Sequence, residues 1–312
     1  MSVGPVVGSK VTIDEGFEYE VTNILEGGMG RILFLRKLSS ADAFDFFHRS
    51  ELAAKTFKDG QFSERCRAIL ERELNVWLSL DCQNIATLLR VSHVNHALFA
   101  IMPLYQCSVR QMLDRLGRFS PSYAAHVLQD VLAGLDFAYR KFGIVHHDLK
   151  PDNILLDKRL LGEERYVVAD WGMAGIQSSY CPEVPRREWL PASFVNTMSH
   201  CGTLPYMSPE RLLGSPSDVA GDIYSIGMLF FEFLFGHLPY SNVSNADIEE
   251  QILDGECFRT AAQHLPRIRS DHVSSIILKC LNPNPASRYP DHRKLAADIR
   301  RLTQRRWWTF WK

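Results

Sequence analysis

The feature that most constrains this chain is a short polar stretch enclosed by apolar residues, 146–153 within IVHHDLKPDNILL. Two histidines, two aspartates, a lysine and an asparagine fall within these eight positions, and Ile, Val and Leu flank them. Short apolar runs of this kind are typical of buried strands. The chain must therefore bring a turn rich in polar and ionisable groups to the edge of a hydrophobic core.

Composition allows a large core and excludes several classes of protein. The 312 residues are 46% apolar, which suits one two-lobed domain or two ordinary domains. Lys plus Arg (35) nearly balance Asp plus Glu (36), so net charge indicates neither nucleic acid nor membrane as a partner. Seven scattered cysteines without a CxxC pair indicate reduced thiols. Because the first ten residues lack a secretory pattern, we expect a cytoplasmic protein.

The chain up to Tyr105 is predicted to be rich in strands. Leu70, Leu74, Trp77 and Leu78 recur at helical spacing and predict one amphipathic helix in this part. The glycine-rich turn EGGMG joins the first two of the predicted strands, which are Tyr19–Leu25, Arg31–Lys37, Leu52–Phe57, Thr87–Val91 and Ala97–Met102.

The chain after Tyr105 is predicted to be mainly helical. Ser120 with Pro121 favours a helix start and Gly143 a helix end. Asp222–Phe235 is apolar almost all round, as in a buried helix. The loop CPEVPRREWLP (181–191) is predicted to be exposed. We therefore expect an α+β chain, with a small sheet-rich lobe before a larger helical lobe and a boundary at 103–106.

The polar stretch carries groups that suit phosphoryl transfer. Asp148 can accept a proton from a hydroxyl nucleophile, and Lys150 can neutralise charge on a phosphoryl group. Asn153 offers an oxygen to a hard cation, and Asp170 ends an apolar strand from which it can bind the same cation. The reaction needs positioning, cations and a base rather than covalent chemistry from the protein.

Two features near the start of the chain fit the same chemistry less specifically. The glycines at 27, 28 and 30 allow the backbone to approach a phosphate, although a plain hairpin turn also explains them. Lys55 lies among apolar neighbours in LAAKTF and needs a partner or a ligand. Glu73 is the candidate partner, and the alternative is a surface lysine with solvated carboxylates.

Taken together and in their order along the chain, these segments resemble the protein kinase family over about residues 18–303. HHDLKPDN resembles the catalytic loop, DWG the metal-binding motif, LAAK the lysine motif of the small lobe and SPE (208–210) the APE motif. DIYSIG, which begins at Asp222, resembles the helix that anchors the catalytic loop. Arg288 matches the arginine that pairs with the APE glutamate, here Glu210.

The resemblance implies the bilobal protein kinase fold. The expected domain comprises an N-lobe (18–102), a hinge (103–106) and a C-lobe (107–303). A 1–17 extension precedes it, and an Arg/Trp-rich tail (304–312) follows it.

The resemblance also implies a role for each residue of the catalytic loop. Asp148 would be the catalytic base, Lys150 would contact the γ-phosphate of ATP, and Thr203 would bond to both residues. Asn153 and Asp170 would hold two Mg²⁺ ions, for which Mn²⁺ is an expected substitute.

The remaining contacts to ATP are implied in the same way. Lys55, held by Glu73, would contact the α- and β-phosphates. The other residues expected around ATP are Ile24, Leu25, Gly27, Gly28, Gly30, Ile32, Ala53, Met102, Pro103, Tyr105 and Leu155.

The same segments indicate the substrate. DLKPDN resembles the loop of serine/threonine kinases, and GTLPYMSPE resembles a platform for protein substrates. We therefore expect a serine/threonine protein kinase that also phosphorylates itself and has no nucleic-acid partner. The alternatives are a small-molecule kinase and a pseudokinase acting as a nucleotide-binding scaffold or regulator. The second is disfavoured because the catalytic set is complete.

One departure from the family concerns regulation. His147 stands in place of the arginine that binds an activation-loop phosphate, and a neutral imidazole substitutes poorly for a bidentate guanidinium. Ser199 and Thr197 are the candidate phosphorylation sites. We expect activity that does not depend strongly on their phosphorylation.

Two other departures involve tryptophan. Trp171 replaces the phenylalanine of DFG and is expected to stack with Trp77, Leu88 and His146. The end of the tail, RRWWTFWK (305–312), suits a membrane interface. We favour the alternative, that these tryptophans pack on the helical lobe.

Overall fold

The structure of the protein is a computed structural model. It describes residues 5–13, 17–26, 30–38, 51–57, 74–94, 97–158, 164–171, 175–176, 203–215, 218–240 and 244–304. Some predictions concern residues outside these ranges, namely those on Gly27, Gly28, Leu70, Glu73, Thr197, Ser199, the 181–191 loop and the 305–312 tail.

The first of two compact units, Met1–Asp81 with Ala86–Gln106, contains a six-stranded antiparallel sheet in the order β1-β2-β3-β4-β6-β5. Buried side chains recur at every second position, as in Leu33 and Leu35 or Leu52 and Ala54, because alternate residues of a strand share a face. The strands are β1 (Lys10–Ile13), β2 (Phe17–Glu26), β3 (Gly30–Lys37), β4 (Glu51–Phe57), β5 (Arg90–Val94) and β6 (Ala97–Pro103).

Two predictions in this unit were wrong in detail. The strand predicted at Thr87–Val91 begins only at Arg90, and the Thr87 N–H donates to the Tyr105 hydroxyl at 2.8 Å. In the helical residues 74–78 (α1), Leu74 and Trp77 are buried, whereas Leu78 is 39% exposed. The Trp77 indole donates to the carbonyl of Ala86 at 2.7 Å, which fixes the inward face of the helix.

The second unit, Cys82–Ile85 with Cys107–Lys312, is mainly helical, as predicted. Its helices are α2 (Val109–Leu116), α3 (Pro121–Phe142), α4 (Pro209–Leu212), α5 (Val219–Phe235), α6 (Asn245–Leu253), α7 (Glu256–His264), α8 (Asp271–Cys280) and α9 (His292–Gln304). Single 3₁₀ turns are formed by Pro151–Asn153, Leu204–Tyr206, Leu265–Ile268 and Pro285–Ser287. In the part of the chain that the structure describes, no helix combines the length and apolarity needed to cross a bilayer.

Helix α3 has the ends that were predicted. The Ser120 hydroxyl accepts the N–H of Tyr123 at 3.2 Å, and Pro121 occupies the first turn. Gly143 ends the helix with a φ of 67°, which glycine adopts without a steric penalty.

Helix α5 forms the centre of the second unit. It begins at Val219 rather than at the predicted Asp222, because the Asp218 carboxylate caps it by accepting the N–H of Gly221 at 3.2 Å. A Cβ at Gly227 would lie 2.7 Å from the Cβ of Cys280, so glycine is needed there for α5 and α8 to pack closely. The helix is buried almost throughout, and it carries Asp222 to the site.

Short strands flank the polar stretch. Strand β8 (Ile144–Val145) precedes it and pairs with β11 (Gly175–Ile176). Strand β9 (Ile154–Asp157) follows it and lies between β7 (Cys107–Ser108) and β10 (Arg165–Val168). The polar stretch therefore turns between two buried strands, as its apolar flanks predicted.

Candidate active site

The carboxylate of Asp148 is held by hydrogen bonds on both of its oxygens. Oδ1 accepts the backbone N–H and the hydroxyl of Thr203, each at 2.7 Å. Oδ2 accepts the Lys150 ammonium at 2.8 Å and the Asn153 amide at 3.1 Å. The Lys150 ammonium also donates to the Thr203 hydroxyl at 2.7 Å. Three residues that the sequence singled out thus fix the orientation of one buried carboxylate.

Asn153 and Asp170 are brought together by the backbone. The N–H of Ala169 donates to the carbonyl of Asn153 at 2.8 Å, and the β9–β10 register pairs Val168 with Ile154 directly beside them. The Asn153 nitrogen donates to the backbone carbonyl of Asp148 at 2.8 Å, so its amide oxygen is the atom suited to a cation.

These two residues fit a magnesium ion better than a softer metal. Mg²⁺ takes oxygen ligands and is commonly held by one or two carboxylates, with phosphate and water oxygens completing its shell. Within the described residues, no group of three or more His, Cys, Asp or Glu side chains is arranged to hold a metal. A carboxylate and a carboxamide at this position suit an ion that arrives with a phosphorylated substrate.

Asp222 anchors the polar stretch from α5. Its Oδ2 accepts the N–H of His146 at 2.8 Å, and its Oδ1 accepts the N–H of His147 at 3.0 Å. His147 has a φ of 70°, a left-handed conformation that costs a non-glycine residue about 1–3 kcal/mol. Such a conformation persists only where surrounding contacts impose it.

His146 links this stretch to the segment that carries Asp170. Its Nδ1 accepts the N–H of Asp148 at 3.2 Å, so Nε2 carries the proton and donates to the carbonyl of Ala169 at 3.0 Å. The His146 ring meets the buried Trp171 edge-on, with centroids 4.7 Å apart. The contact expected between these two rings is therefore present, whereas Trp77 and Leu88 belong to the first unit.

His147 supplies no positive charge at neutral pH. Burial lowers the pKa of its imidazole to about 3, and the neighbouring Arg211 adds to this effect. Because the ring stays neutral, it cannot replace the ionic function of the arginine expected at this position.

The first unit carries most of the other predicted residues on four neighbouring strands, β2, β3, β4 and β6. Lys55 lies on β4, between Ile32 of β3 and Ala100 of β6. Ala53 of β4 pairs with Met102 of β6, and both side chains are buried. Ile24 and the exposed Leu25 lie on β2, and Gly30 is the first residue of β3. Pro103 is the last residue of β6, and Tyr105 lies two residues after it. Leu155 lies on β9 and belongs to the second unit.

An ionic cluster next to the site was missed by the sequence analysis. Arg110 of α2 contacts Glu232 of α5 at 2.9 Å and the Tyr206 hydroxyl at 2.8 Å. The same hydroxyl donates to Glu232 at 2.7 Å. Burial and the carboxylate of Glu232 raise the pKa of Tyr206. The sequence did contain one indication of this cluster. Glu232 lies inside an otherwise apolar helix, and a buried charge needs partners.

The predicted pair of Glu210 and Arg288 is present. Two parallel hydrogen bonds join them at 2.7 and 2.9 Å, a bidentate geometry that strengthens an ion pair. Arg288 also donates to the carbonyl of Ala220 at 2.9 Å. The pair therefore connects α4 to the start of α5, which carries Asp222.

Comparison with known proteins identifies relatives of this chain. The family model described as "Protein kinase domain" matches residues 41–307. The chain is 29% identical over 252 residues to Aurora kinase B of Danio rerio, covering 79% of this chain and 71% of that protein. It is 32% identical over 209 residues to serine/threonine-protein kinase PknL of Mycobacterium tuberculosis, covering 66% and 47% respectively.

A third relative is matched along nearly the whole chain. Serine/threonine-protein kinase pkn3 of Myxococcus xanthus is 27% identical over 296 residues, covering 93% of this chain and 51% of that protein. The chain thus spans about half the length of these two bacterial relatives.

Proposed function

This chain belongs to the protein kinase family, and we propose that it is a serine/threonine protein kinase, which transfers the γ-phosphate of ATP to hydroxyls of protein substrates and of itself. The names of its relatives support this activity. The observation that carries the proposal is the Asp148 carboxylate, held by Lys150, Asn153 and Thr203 at 2.7–3.1 Å.

In the proposed mechanism, Asp148 accepts the proton of the substrate hydroxyl as that oxygen bonds to the γ-phosphorus, the bond from this phosphorus to the oxygen of the β-phosphate breaks, and ADP leaves. Thr203 and Asn153 keep the carboxylate oriented, so that little reorganisation precedes proton transfer. Lys150 lies beside the same carboxylate, from which its ammonium can also meet charge on the phosphoryl oxygens.

We propose Asn153 and Asp170 as the protein ligands of two Mg²⁺ ions, which Mn²⁺ can replace. When bound, the ions would supply positive charge that neutralises the charge developing on the phosphate oxygens. This proposal is supported by the two hard oxygen ligands themselves. The hydrogen bond from the N–H of Ala169 to the carbonyl of Asn153 holds the two residues close together. Lys55 is proposed to contact the α- and β-phosphates.

Several finer expectations stay proposals. The kinase domain is proposed to span 18–303, although the family match begins at residue 41. The protein is proposed to act in the cytoplasm on proteins rather than nucleic acids. Contact of the 305–312 tail with a membrane surface stays the less favoured alternative.

The proposed activity predicts a magnesium-dependent transfer of label. Purified protein with γ-labelled ATP, Mg²⁺ and a basic acceptor protein is expected to label serine or threonine. Chelation with EDTA is expected to abolish labelling, and Mn²⁺ to restore it, because the proposed ligands are hard oxygens. Lys55→Met is expected to lose most of the activity. Phosphoamino-acid analysis provides the measurement, and nucleotide binding without transfer by the wild type would favour a pseudokinase instead.

Replacing Thr203 tests the proposed cradle. Thr203→Val keeps the shape of the side chain but removes the hydroxyl that bonds to Asp148 and Lys150. We expect kcat to fall about 10- to 100-fold, as when one hydrogen bond to a charged group is lost. Thr203→Ser is the matched control and is expected to retain most of kcat. Equal rates for the valine and serine variants would contradict the role of the hydroxyl.

A further inference from the structure

His147, which directly precedes Asp148, has a strained backbone, and both its N–H and its carbonyl are hydrogen-bonded. The N–H of His147 is bound by the Asp222 carboxylate at 3.0 Å. Its carbonyl accepts a hydrogen bond from Nη1 of Arg211. Because the left-handed φ of His147 is unfavourable for a residue with a side chain, both contacts oppose its relaxation.

Arg211 is itself firmly placed. It belongs to the short helix α4 and is 5% exposed. Its neighbour Glu210 is tied to Arg288, which fixes the helix. A Cβ at Gly221 would lie 3.4 Å from Cδ of Arg211, so the glycine makes room for the arginine against α5. A guanidinium held this way can impose a direction on the carbonyl it binds.

Arg211 also brings a positive charge close to His147. His147 occupies the position where the family resemblance calls for an arginine, but its imidazole is buried and neutral. Arg211 lies close enough to influence that imidazole, and it reaches the same peptide from another helix. Arg211 thus places a guanidinium from α4 beside the catalytic stretch.

We propose that Arg211 is a positioning residue for Asp148: it holds the carbonyl of His147 and, with Asp222 on the N–H side, keeps the catalytic carboxylate aimed at its substrate. The inference rests on the proposed kinase function. Since Arg211 acts through the backbone, its loss alters the turnover of bound substrate rather than the affinity for ATP or acceptor.

The test combines steady-state kinetics with a matched set of variants. Arg211→Met is expected to lower kcat about 100-fold, the size of effect that a small misplacement of a catalytic group produces, with both KM values changed less than about threefold. Arg211→Lys can still donate a hydrogen bond to the carbonyl, so its kcat is expected to be at least about tenfold higher than that of Arg211→Met. Leu295→Ala, in the fully buried part of α9, is the control for lost stability alone.

The outcomes separate positioning from stability. A fall in kcat for Arg211→Met but not for Leu295→Ala, at temperatures where both are folded, supports the proposal. Wild-type kcat in Arg211→Met overturns it, as does a loss that Arg211→Lys does not reduce. If Arg211→Met does not fold, Arg211→Ala takes its place in the same comparison, and a wild-type kcat in that variant overturns the proposal.

A second readout keeps this inference separate from the proposed function. Amide hydrogen exchange of the peptide containing 146–149 is measured in each folded variant. Faster exchange there in Arg211→Met, or in the Arg211→Ala variant that takes its place, but not in Leu295→Ala, supports the positioning role; unchanged exchange overturns it. If the wild-type protein transfers no phosphate, the proposed function fails, and the exchange data still decide whether Arg211 holds the stretch.

Discussion

Asp148→Asn is expected to lower kcat for phosphate transfer about 1000-fold, within the range that a general base contributes. The asparagine preserves the size of the side chain but cannot accept the hydroxyl proton. It also turns an amide nitrogen toward Lys150 or Thr203, which donate to the carboxylate in the wild type. Transfer of labelled phosphate at saturating ATP and acceptor measures the effect.

The matched control is Asp152→Asn, which removes an exposed carboxylate from the same stretch. Its nearest ionic contact is Arg110 at 3.7 Å, a weak pairing. We expect it to keep kcat within about threefold of wild type, as for an exposed ion pair of low energy. Comparable losses in the two variants would mean that general charge, rather than the base at position 148, governs the rate.

Arg288→Met is expected to lower the free energy of unfolding by about 3–5 kcal/mol, because it strands a buried carboxylate at Glu210. The Arg288 side chain is 0% exposed and that of Glu210 is 13% exposed, so solvent replaces little of the lost contact. Urea unfolding followed by circular dichroism measures the change. The double variant Glu210→Gln/Arg288→Met removes both charges and is expected to recover part of the loss.

An exposed ion pair of similar geometry is the control. Arg259 contacts Glu256 at 2.8 Å, with side chains that are 57% and 41% exposed. Arg259→Met is expected to change the free energy of unfolding by about 1 kcal/mol or less, as for surface pairs. A loss in Arg288→Met no larger than in Arg259→Met would show that burial does not strengthen the Glu210–Arg288 pair.

Much of the fold was predictable because local rules decided it. The limits of α3 follow from Ser120, Pro121 and Gly143, each of which acts on its own part of the backbone. The strand predicted at Thr87–Val91 failed because a hydrogen bond to the distant Tyr105 hydroxyl competes with strand pairing at Thr87. Residues whose structure depends on partners far along the chain give no periodic signal.

The same distinction applies to the site. Asp148, Lys150 and Asn153 were predictable because they form one short motif, and Thr203 followed from its own motif. Arg110 and Arg211 were not predicted, because their partners Glu232 and His147 lie on other elements. Nothing in the spacing of these arginines marks them, and only the folded chain brings each to its acceptor.

The β9–β10 hairpin has a consequence for how such a site can diversify. Asn153 directly precedes β9 and Asp170 closely follows β10, so both candidate ligands lie at the open end of the hairpin. Their separation is determined by strand register, and the buried faces of β9 and β10 specify that register strongly. We therefore expect insertions or deletions between 158 and 164 to leave the two candidate ligands in place, so that this connection can vary while the site keeps its chemistry.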